Sequence, residues 1–362
     1  NEVLTLAVSL PHKIKYLQQI AFIMKKQKSK VTLKDIAEDT GFAISTVSRA
    51  ISGNKKISSD TEQIIFQSAQ KLNYPIQNIN TPVELRENMF IALVTKFHTG
   101  EFYSSFYNGL DNATEGTKTN IALLSVSNSS TDNITLIKEL QKSSFDAAIL
   151  FLPDFNQDDY KDVINTIDSG FPMVSVATIM HPIMDTITFD TYRGGYLVAE
   201  HFHALGYKKL GIIHGPQNKS EAMLRKNGFT DFISLKEDLQ LVWQHDGDFE
   251  NSSGAEAYDN YKIADTKPEA VFCSNDSMAL GFMQNALRDG LRIPDDVAVA
   301  GYDDLPICEY HSPSITSVHT PFEMLGKKAI KYLMDSLNNE AGTADHTGYV
   351  SLVPVTLKTR ES

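Results

Sequence analysis

The stretch Val31-Thr-Leu-Lys-Asp-Ile-Ala-Glu-Asp-Thr-Gly-Phe-Ala-Ile-Ser-Thr-Val-Ser-Arg-Ala-Ile-Ser-Gly53 reads as a helix, a tight turn and a second helix. Thr32 and Asp35 have capping-box spacing, which puts a carboxylate near the positive end of the first helix. Leu33, Ile36 and Ala37 fall on one helical face. Gly41 ends that helix, where a residue without Cβ turns at no steric cost. Val47, Ala50 and Ile51 give the second helix its apolar side. Ile44, Ser45, Thr46, Ser48 and Arg49 are left facing outward near its start.

Such a helix suits the major groove, which is wide enough for one helix and presents donors and acceptors to small polar or cationic side chains. Periodicity alone fits a plain helical hairpin equally well. A third element changes the balance. Ser59-Asp-Thr-Glu62 has capping-box spacing, and Ile65, Ala69 and Leu72 recur at helical intervals until Asn73-Tyr74-Pro75. Three short helices around one small core make a helix-turn-helix domain.

Thr32-Leu-Lys-Asp-Ile-Ala, Thr46-Val-Ser-Arg49 and Lys71-Leu-Asn-Tyr74 closely resemble the DNA-binding segment of the LacI/GalR family of bacterial transcription regulators. The resemblance implies a homodimer on near-palindromic operator DNA. It implies DNA contact by Thr32, Ile44, Ser45, Thr46, Ser48, Arg49, Asn54, Tyr74 and Val83.

The 362 residues leave room for a larger second domain, and the formal charge is −12. Yet between Met24 and Lys56 the basic residues (Lys25, Lys26, Lys28, Lys30, Lys34, Arg49, Lys55, Lys56) outnumber Asp35, Glu38 and Asp39. A basic head on an acidic body confines phosphate attraction to the head. Cys273 and Cys308 match no metal or redox spacing and read as buried thiols in a reducing compartment. No apolar run reaches membrane-spanning length, so the expected location is the cytoplasm.

Residues 1–23 are apolar in part but broken by Pro11, His12, Lys13 and Lys15, which fits neither a signal peptide nor an anchor. Met24-Lys-Lys-Gln-Lys-Ser-Lys30 looks like the start of the family's module, with residues 1–23 an extension or, alternatively, an extra helix. The expected domains are then residues 24–77 for the head, 78–89 for a hinge and 90–362 for an effector-binding and dimerisation domain. In the family the hinge holds a helix that inserts a leucine into the minor groove. Here Asn80 replaces the usual alanine, Val83 replaces the leucine, and Pro82 precedes it. Either the hinge helix starts at Thr81-Pro82 or the linker stays extended. Ala43 replaces the usual serine cap of the second helix, weakening its first turn by roughly a kcal/mol.

Beyond Met89, apolar runs at Phe90–Val94, Ile121–Leu124, Ala147–Phe151, Met173–Val176, Leu210–Ile213, Ala270–Cys273 and Val297–Gly301 alternate with amphipathic stretches. The pattern predicts an α/β, doubly wound arrangement of parallel sheets in two subdomains, with ligand binding at the carboxyl ends of the strands. Val271-Phe-Cys-Ser-Asn-Asp-Ser-Met-Ala-Leu-Gly281, Gly290-Leu-Arg-Ile-Pro-Asp-Asp-Val297, Gly301-Tyr-Asp-Asp304 and Ser312-Pro-Ser-Ile-Thr-Ser-Val318 resemble the same family's effector domain, which is two-lobed and periplasmic-binding-protein-like. That resemblance places effector contacts at Arg225, Asn275 and Asp303, a stacking aromatic at Phe249, a further contact at Asp190, and Phe102 and Tyr103 in the loop after the first strand. Arg225 offers a rigid fork of donors, Asp303 accepts from paired hydroxyls and Asn275 does both. Taken singly, Arg225 also fits a solvated helix charge, Asp303 a turn residue and Phe249 a core residue.

No phosphate loop, dinucleotide fingerprint, nucleophile elbow or zinc-binding helix is present, so neither catalysis nor a metal or cofactor is expected. The sequence therefore reads as a transcriptional regulator, a repressor first, controlled by a sugar or sugar derivative bound between two lobes. The alternatives are control by a purine or partner protein, or a transport-type sugar-binding protein.

Overall fold

The computed structural model describes residues 31–52, 57–72, 74, 88–96, 100–126, 130–167, 170–338 and 348–362. Residues 1–30, Asn54 to Lys56, and the hinge positions Asn80, Pro82 and Val83 lie outside the described residues.

The head contains α1 (Leu33–Thr40), α2 (Ile44–Ile51) and α3 (Ser59–Lys71). Asp35 Oδ2 accepts from the Thr32 amide at 2.6 Å and from its hydroxyl at 2.7 Å, which fixes the start of α1. Gly41 turns the chain at φ 73° while its N–H reaches Ala37 O at 2.9 Å. Ile36, Ala37, Val47, Ala50, Ile65 and Ala69 form the small shared core. Asp39 ties α1 to α3, accepting from Ser68 Oγ at 2.6 Å and pairing with Lys71 Nζ at 2.7 Å. The expected capping box at Ser59 and Glu62 is corrected by one residue. Ser58 caps α3: its oxygen takes the Thr61 amide at 3.4 Å. Glu62 N–H is already inside the helix, bonded to Ser58 O at 2.9 Å.

The body is built on two six-stranded sheets. The first contains β1 (Met89–Thr95), β2 (Thr119–Ser125), β3 (Ala147–Phe151), β4 (Met173–Ser175), β5 (Thr186–Phe189) and β11 (Val350–Val353), in the order β11-β5-β4-β3-β1-β2 and parallel throughout. The second contains β6 (Lys209–His214), β7 (Gln240–Asp246), β8 (Ala270–Cys273), β9 (Ala298–Asp303), β10 (Thr316–His319) and β12 (Thr356–Lys358), in the order β12-β10-β9-β8-β6-β7. There only β12 runs antiparallel, against β10. Central strands such as β3 and β8 are buried along their length or nearly so, as strands covered on both faces must be.

Helices α4 (Glu101–Thr114), α5 (Ser130–Leu140), α6 (Gln157–Thr166) and α12 (Phe322–Asn338) cover the first sheet. Helices α7 (Thr191–Ala204), α8 (Ser220–Ser234), α9 (Asn251–Lys262) and α10 (Asp276–Arg288) cover the second, and the short α11 spans Ile307–Tyr310. The chain passes between the lobes at Asp190, at Thr320 and between Val353 and Thr356. Two lobes were expected from the count of alternating units, and these passages make their junction a bundle of crossing segments.

Glycines let the helices on the second sheet approach closely. A Cβ at Gly195 of α7 would lie 2.0 Å from Arg225 O, and one at Gly228 of α8 would lie 1.9 Å from Tyr192 O. Gly254 and Gly281 play the same part between α9 and α10, at 2.1 Å from Met278 O and 2.0 Å from Asn251 O. These contacts are with backbone, which cannot step aside without parting the helices. Gly228→Ala should therefore destabilise the body by about 1–3 kcal/mol. Urea unfolding checks this, and an unchanged midpoint would show that the helices can separate without cost.

Candidate functional sites

On the head, α2 presents its outer face. Ile44 is 49% exposed, and Ser45, Ser48 and Arg49 are exposed while Thr46 is half-buried beside Val47. Ala43 at the N-cap supplies no side-chain acceptor, so no capping side chain takes the first amides of α2. Thr32 is exposed and bound to Asp35 at the start of α1. Tyr74 is half-buried against the head core. Asn54 and Val83, like Lys25, Lys26 and Lys28, lie outside the described residues.

In the body, the ends of β8 and β9, the loop after β7 and the starts of α8 and α10 bring Arg225, Phe249, Asn275 and Asp303 together. Arg225 is only 7% exposed and Asp303 only 4%. Arg225 Nη2 meets Asp303 Oδ1 at 3.1 Å, and Nη1 donates to Ser274 O. The guanidinium carbon sits 3.8 Å from the Tyr302 ring centroid and 5.5 Å from that of Phe249, both within cation–π range. Burial pushes the Asp303 carboxyl up and Arg225 draws it back, the balance of a desolvated ion pair.

The backbone here is unusual. Asp303 has φ 106°, Asp304 φ 57° and Phe249 φ 74°, in the left-handed region that L side chains rarely adopt. Each is held by side chains. Asn275 caps α10, its Oδ1 taking Met278 N–H at 2.9 Å, while its Nδ2 donates to Phe249 O at 2.8 Å. Asp276, wholly buried, accepts from Leu305 N–H at 2.8 Å and from Ser317 Oγ, clamping the turn after Asp303. Its carboxyl is pushed up by burial and then by the neighbouring Asp303. Asp304 pairs with His319 Nδ1 at 2.8 Å. Thr320, on a passage between lobes, donates to Asp303 O at 3.0 Å. The Asp303 turn thus touches the lobe junction directly.

Asp190 also proves to be a cap, accepting Arg193 N–H at 3.1 Å at the start of α7. The expectation of a loop at Phe102 and Tyr103 is corrected: both lie in the first turn of α4, with Gly100 as its N-cap. Phe102 turns into the first lobe's aromatic cluster, 5.3 Å from the Phe322 ring and 6.2 Å from Phe151. Tyr103 packs beside Phe102, Tyr107 and Phe151, at ring distances of 5.2, 6.3 and 6.4 Å. Burial pushes its hydroxyl up, followed by the charges of Tyr107, Asp154, Glu221 and Glu250.

Sequence reasoning missed several residues of this crevice. Lys219, the N-cap residue of α8, pairs with Asp154 of the first lobe. Glu221 stands one turn before Arg225. Tyr302 lay within a quoted motif without a role, and the i,i+4 spacing of Glu221 and Arg225 was the available signal. A cavity of about 720 Å³ lies beside the junction, lined by Asp304, Tyr310, His319, Met324 and Lys327 among others. Arg225, Asn275 and Asp303 do not line it. Among the described residues no cluster of His, Cys, Asp and Glu could hold a metal ion, and no helix is long and apolar enough to cross a membrane.

Residues 32–76 match the bacterial regulatory proteins of the lacI family, and residues 199–362 match the periplasmic binding protein-like domain. An HTH-type transcriptional repressor PurR of Haemophilus influenzae (strain PittEE) is 25% identical over 324 residues, covering 89% of this chain and 96% of that protein. Among solved structures, a transcriptional regulator CelR–cellobiose complex covers 92% of this chain and 100% of its own, at 24% identity and a TM-score of 0.63. The lac repressor dimer bound to operator and the anti-inducer ONPF covers 92% and 99%, at 23% identity and a TM-score of 0.66. Those two likenesses show the fold. The chain thus pairs a segment that matches the lacI family of bacterial regulatory proteins with a body that matches the periplasmic binding protein-like domain, and the PurR repressor is similar to it across both.

Proposed function

We propose that this protein is a sequence-specific DNA-binding regulator, a repressor, whose hold on its operator is set by a small molecule bound between the lobes. The observation that carries this reading is the exposed, uncapped α2 face on a head joined to a two-lobed body with a charged, aromatic crevice. Residues 24–77 act as the DNA-binding head, 78–89 as hinge and 90–362 as effector and dimerisation domain. Ile44, Ser45, Thr46, Ser48 and Arg49 enter the major groove of double-stranded DNA, with Thr32, Asn54 and Tyr74 on the backbone and Val83 at the minor groove. Lys25, Lys26 and Lys28 add salt-dependent phosphate attraction. The working unit is a homodimer in the cytoplasm, and it is not an enzyme.

Arg225, Phe249, Asn275 and Asp303 receive the effector from the second lobe, with Asp190, Tyr103 and Phe102 nearby. A sugar suits Asp303, which accepts from paired hydroxyls, and Phe249, which supplies a flat apolar face. A purine is the second reading, favoured by the repressor relative named PurR. By linkage, an effector that loosens operator binding binds less well to the DNA-bound form.

Two outcomes follow. Replacing Ile44 or Ser45 should shift the preferred base pair at a contacted position by about 1–3 kcal/mol, read in a selection from randomised duplexes; identical preferences would remove α2 from base readout. Arg225→Lys keeps the charge but not the planar fork. It should weaken the effector's influence on operator affinity by roughly ten- to a hundredfold in fluorescence anisotropy, with urea unfolding reporting separately any loss of stability from the altered ion pair. A full effector response in that variant would remove Arg225 from the site.

A further inference from the structure

The two aromatic rings within cation–π range of Arg225 each rest against a glycine. A Cβ at Gly194, in α7, would lie 2.4 Å from the Tyr302 hydroxyl oxygen and 2.5 Å from Cε2 of its ring. A Cβ at Gly215, directly after β6, would lie 2.3 Å from Cε1 and 2.4 Å from Cζ of Phe249, and 2.9 Å from the Ala222 methyl of α8. Non-bonded carbons do not come that close, so at both places the ring occupies the room of the missing side chain. Gly215 is buried and its φ lies outside the left-handed region. Its lack of a Cβ therefore serves close approach and not an unusual backbone.

The two places differ in what could give way. Tyr302 is wholly buried in the packing of the second lobe. Phe249 is half-buried, and its backbone is held on two sides. The Gly247 amide donates to His214 O at 2.9 Å, which draws the loop after β7 against Gly215. Asn275 Nδ2 donates to Phe249 O at 2.8 Å. With the chain fixed, the ring is the part that can move. A methyl at position 215 would turn the ring about its side-chain torsions and leave the loop in place.

We propose that Gly215 is a positioning residue of the effector site: it fixes where the Phe249 ring stands, and thereby where the flat face of an effector rests beside Arg225. This rests on the reading of the crevice as an effector site. Gly215 acts through the ring and not by touching the ligand. The ligand chemistry it serves is a flat apolar face, which the C–H side of a sugar ring and the π-surface of a nucleobase both supply.

The experiment uses the full chain and four probes: glucose, galactose, adenosine and guanosine. Dissociation constants are measured by calorimetry, and the tightest binder is carried through wild type, Gly215→Ala, Phe249→Leu and the double variant. Gly215→Ala should weaken binding at least roughly tenfold when Phe249 is present, and by no more than about twofold once it is leucine. A loss of equal size in both backgrounds, as general destabilisation would give, overturns the positioning role, and so does no loss in the first. Ring position is also read without ligand. In protein carrying carbon-13 at phenylalanine Cζ, the nuclear magnetic resonance signal absent from Phe249→Leu belongs to this ring, and it should shift in Gly215→Ala. An unmoved signal overturns the contact and leaves the effector site standing. If neither these probes nor a wider panel of sugars and nucleobases bind, control by such a molecule falls, and this inference with it.

Discussion

The buried ion pair of Arg225 with Asp303 is the interaction around which the body is arranged. Taking two charges out of water costs several kcal/mol per ion, and their attraction offsets this only where further hydrogen bonds complete the shell. Here Ser274 O takes a second nitrogen of the fork, and the Tyr302 ring lies against the guanidinium face. The pair also depends on close helix packing. Arg225 reaches β9 because α8 lies against α7 through Gly195 and Gly228, a contact any larger residue would open. Asp303 reaches Arg225 from a left-handed backbone that Asp276 clamps from below. Each support is local, and each is needed for the next.

That arrangement connects chemistry to motion. The Asp303 turn is bonded to Thr320 and the adjoining Asp304 to His319, at a passage between lobes. The Asp303 turn is therefore joined directly to a segment that links the two lobes. Lys219 with Asp154 and Ile307 N–H with Glu101 at 3.2 Å also connect the two lobes. Two discrete lobe orientations, biased by ligand, are what a switch at the DNA heads requires. The head needs no strain of its own: its three helices close over six buried apolar residues, and Asp39 braces α1 to α3.

Much of this was legible in the sequence, and the exceptions share a cause. The head was readable because its signals are local: a capping box at Thr32, a glycine stop at Gly41 and a heptad-like apolar face. The buried strands announced themselves as short apolar runs. Missed elements carry polar or mixed patterns. The edge strand β7, Gln240–Asp246, mixes exposed and part-buried residues around the buried Trp243, and β11 and β12 are short strands near the C-terminus with mostly exposed side chains. At the crevice, family motifs pointed to Arg225, Asn275 and Asp303, but local sequence could not show that Asn275 and Asp190 also serve as helix caps. Nor could it show that Lys219 pairs with Asp154 of the other lobe. Such a property belongs to tertiary packing and leaves no periodic trace.

The central claim is that the head reads duplex sequence as a symmetric pair under the control of the body. The most direct test presents the purified full-length protein with a library of random duplexes at moderate salt and sequences what is retained. The account predicts enrichment of a near-palindrome whose half-sites are related by a two-fold axis. Retention of duplexes without sequence preference would contradict it.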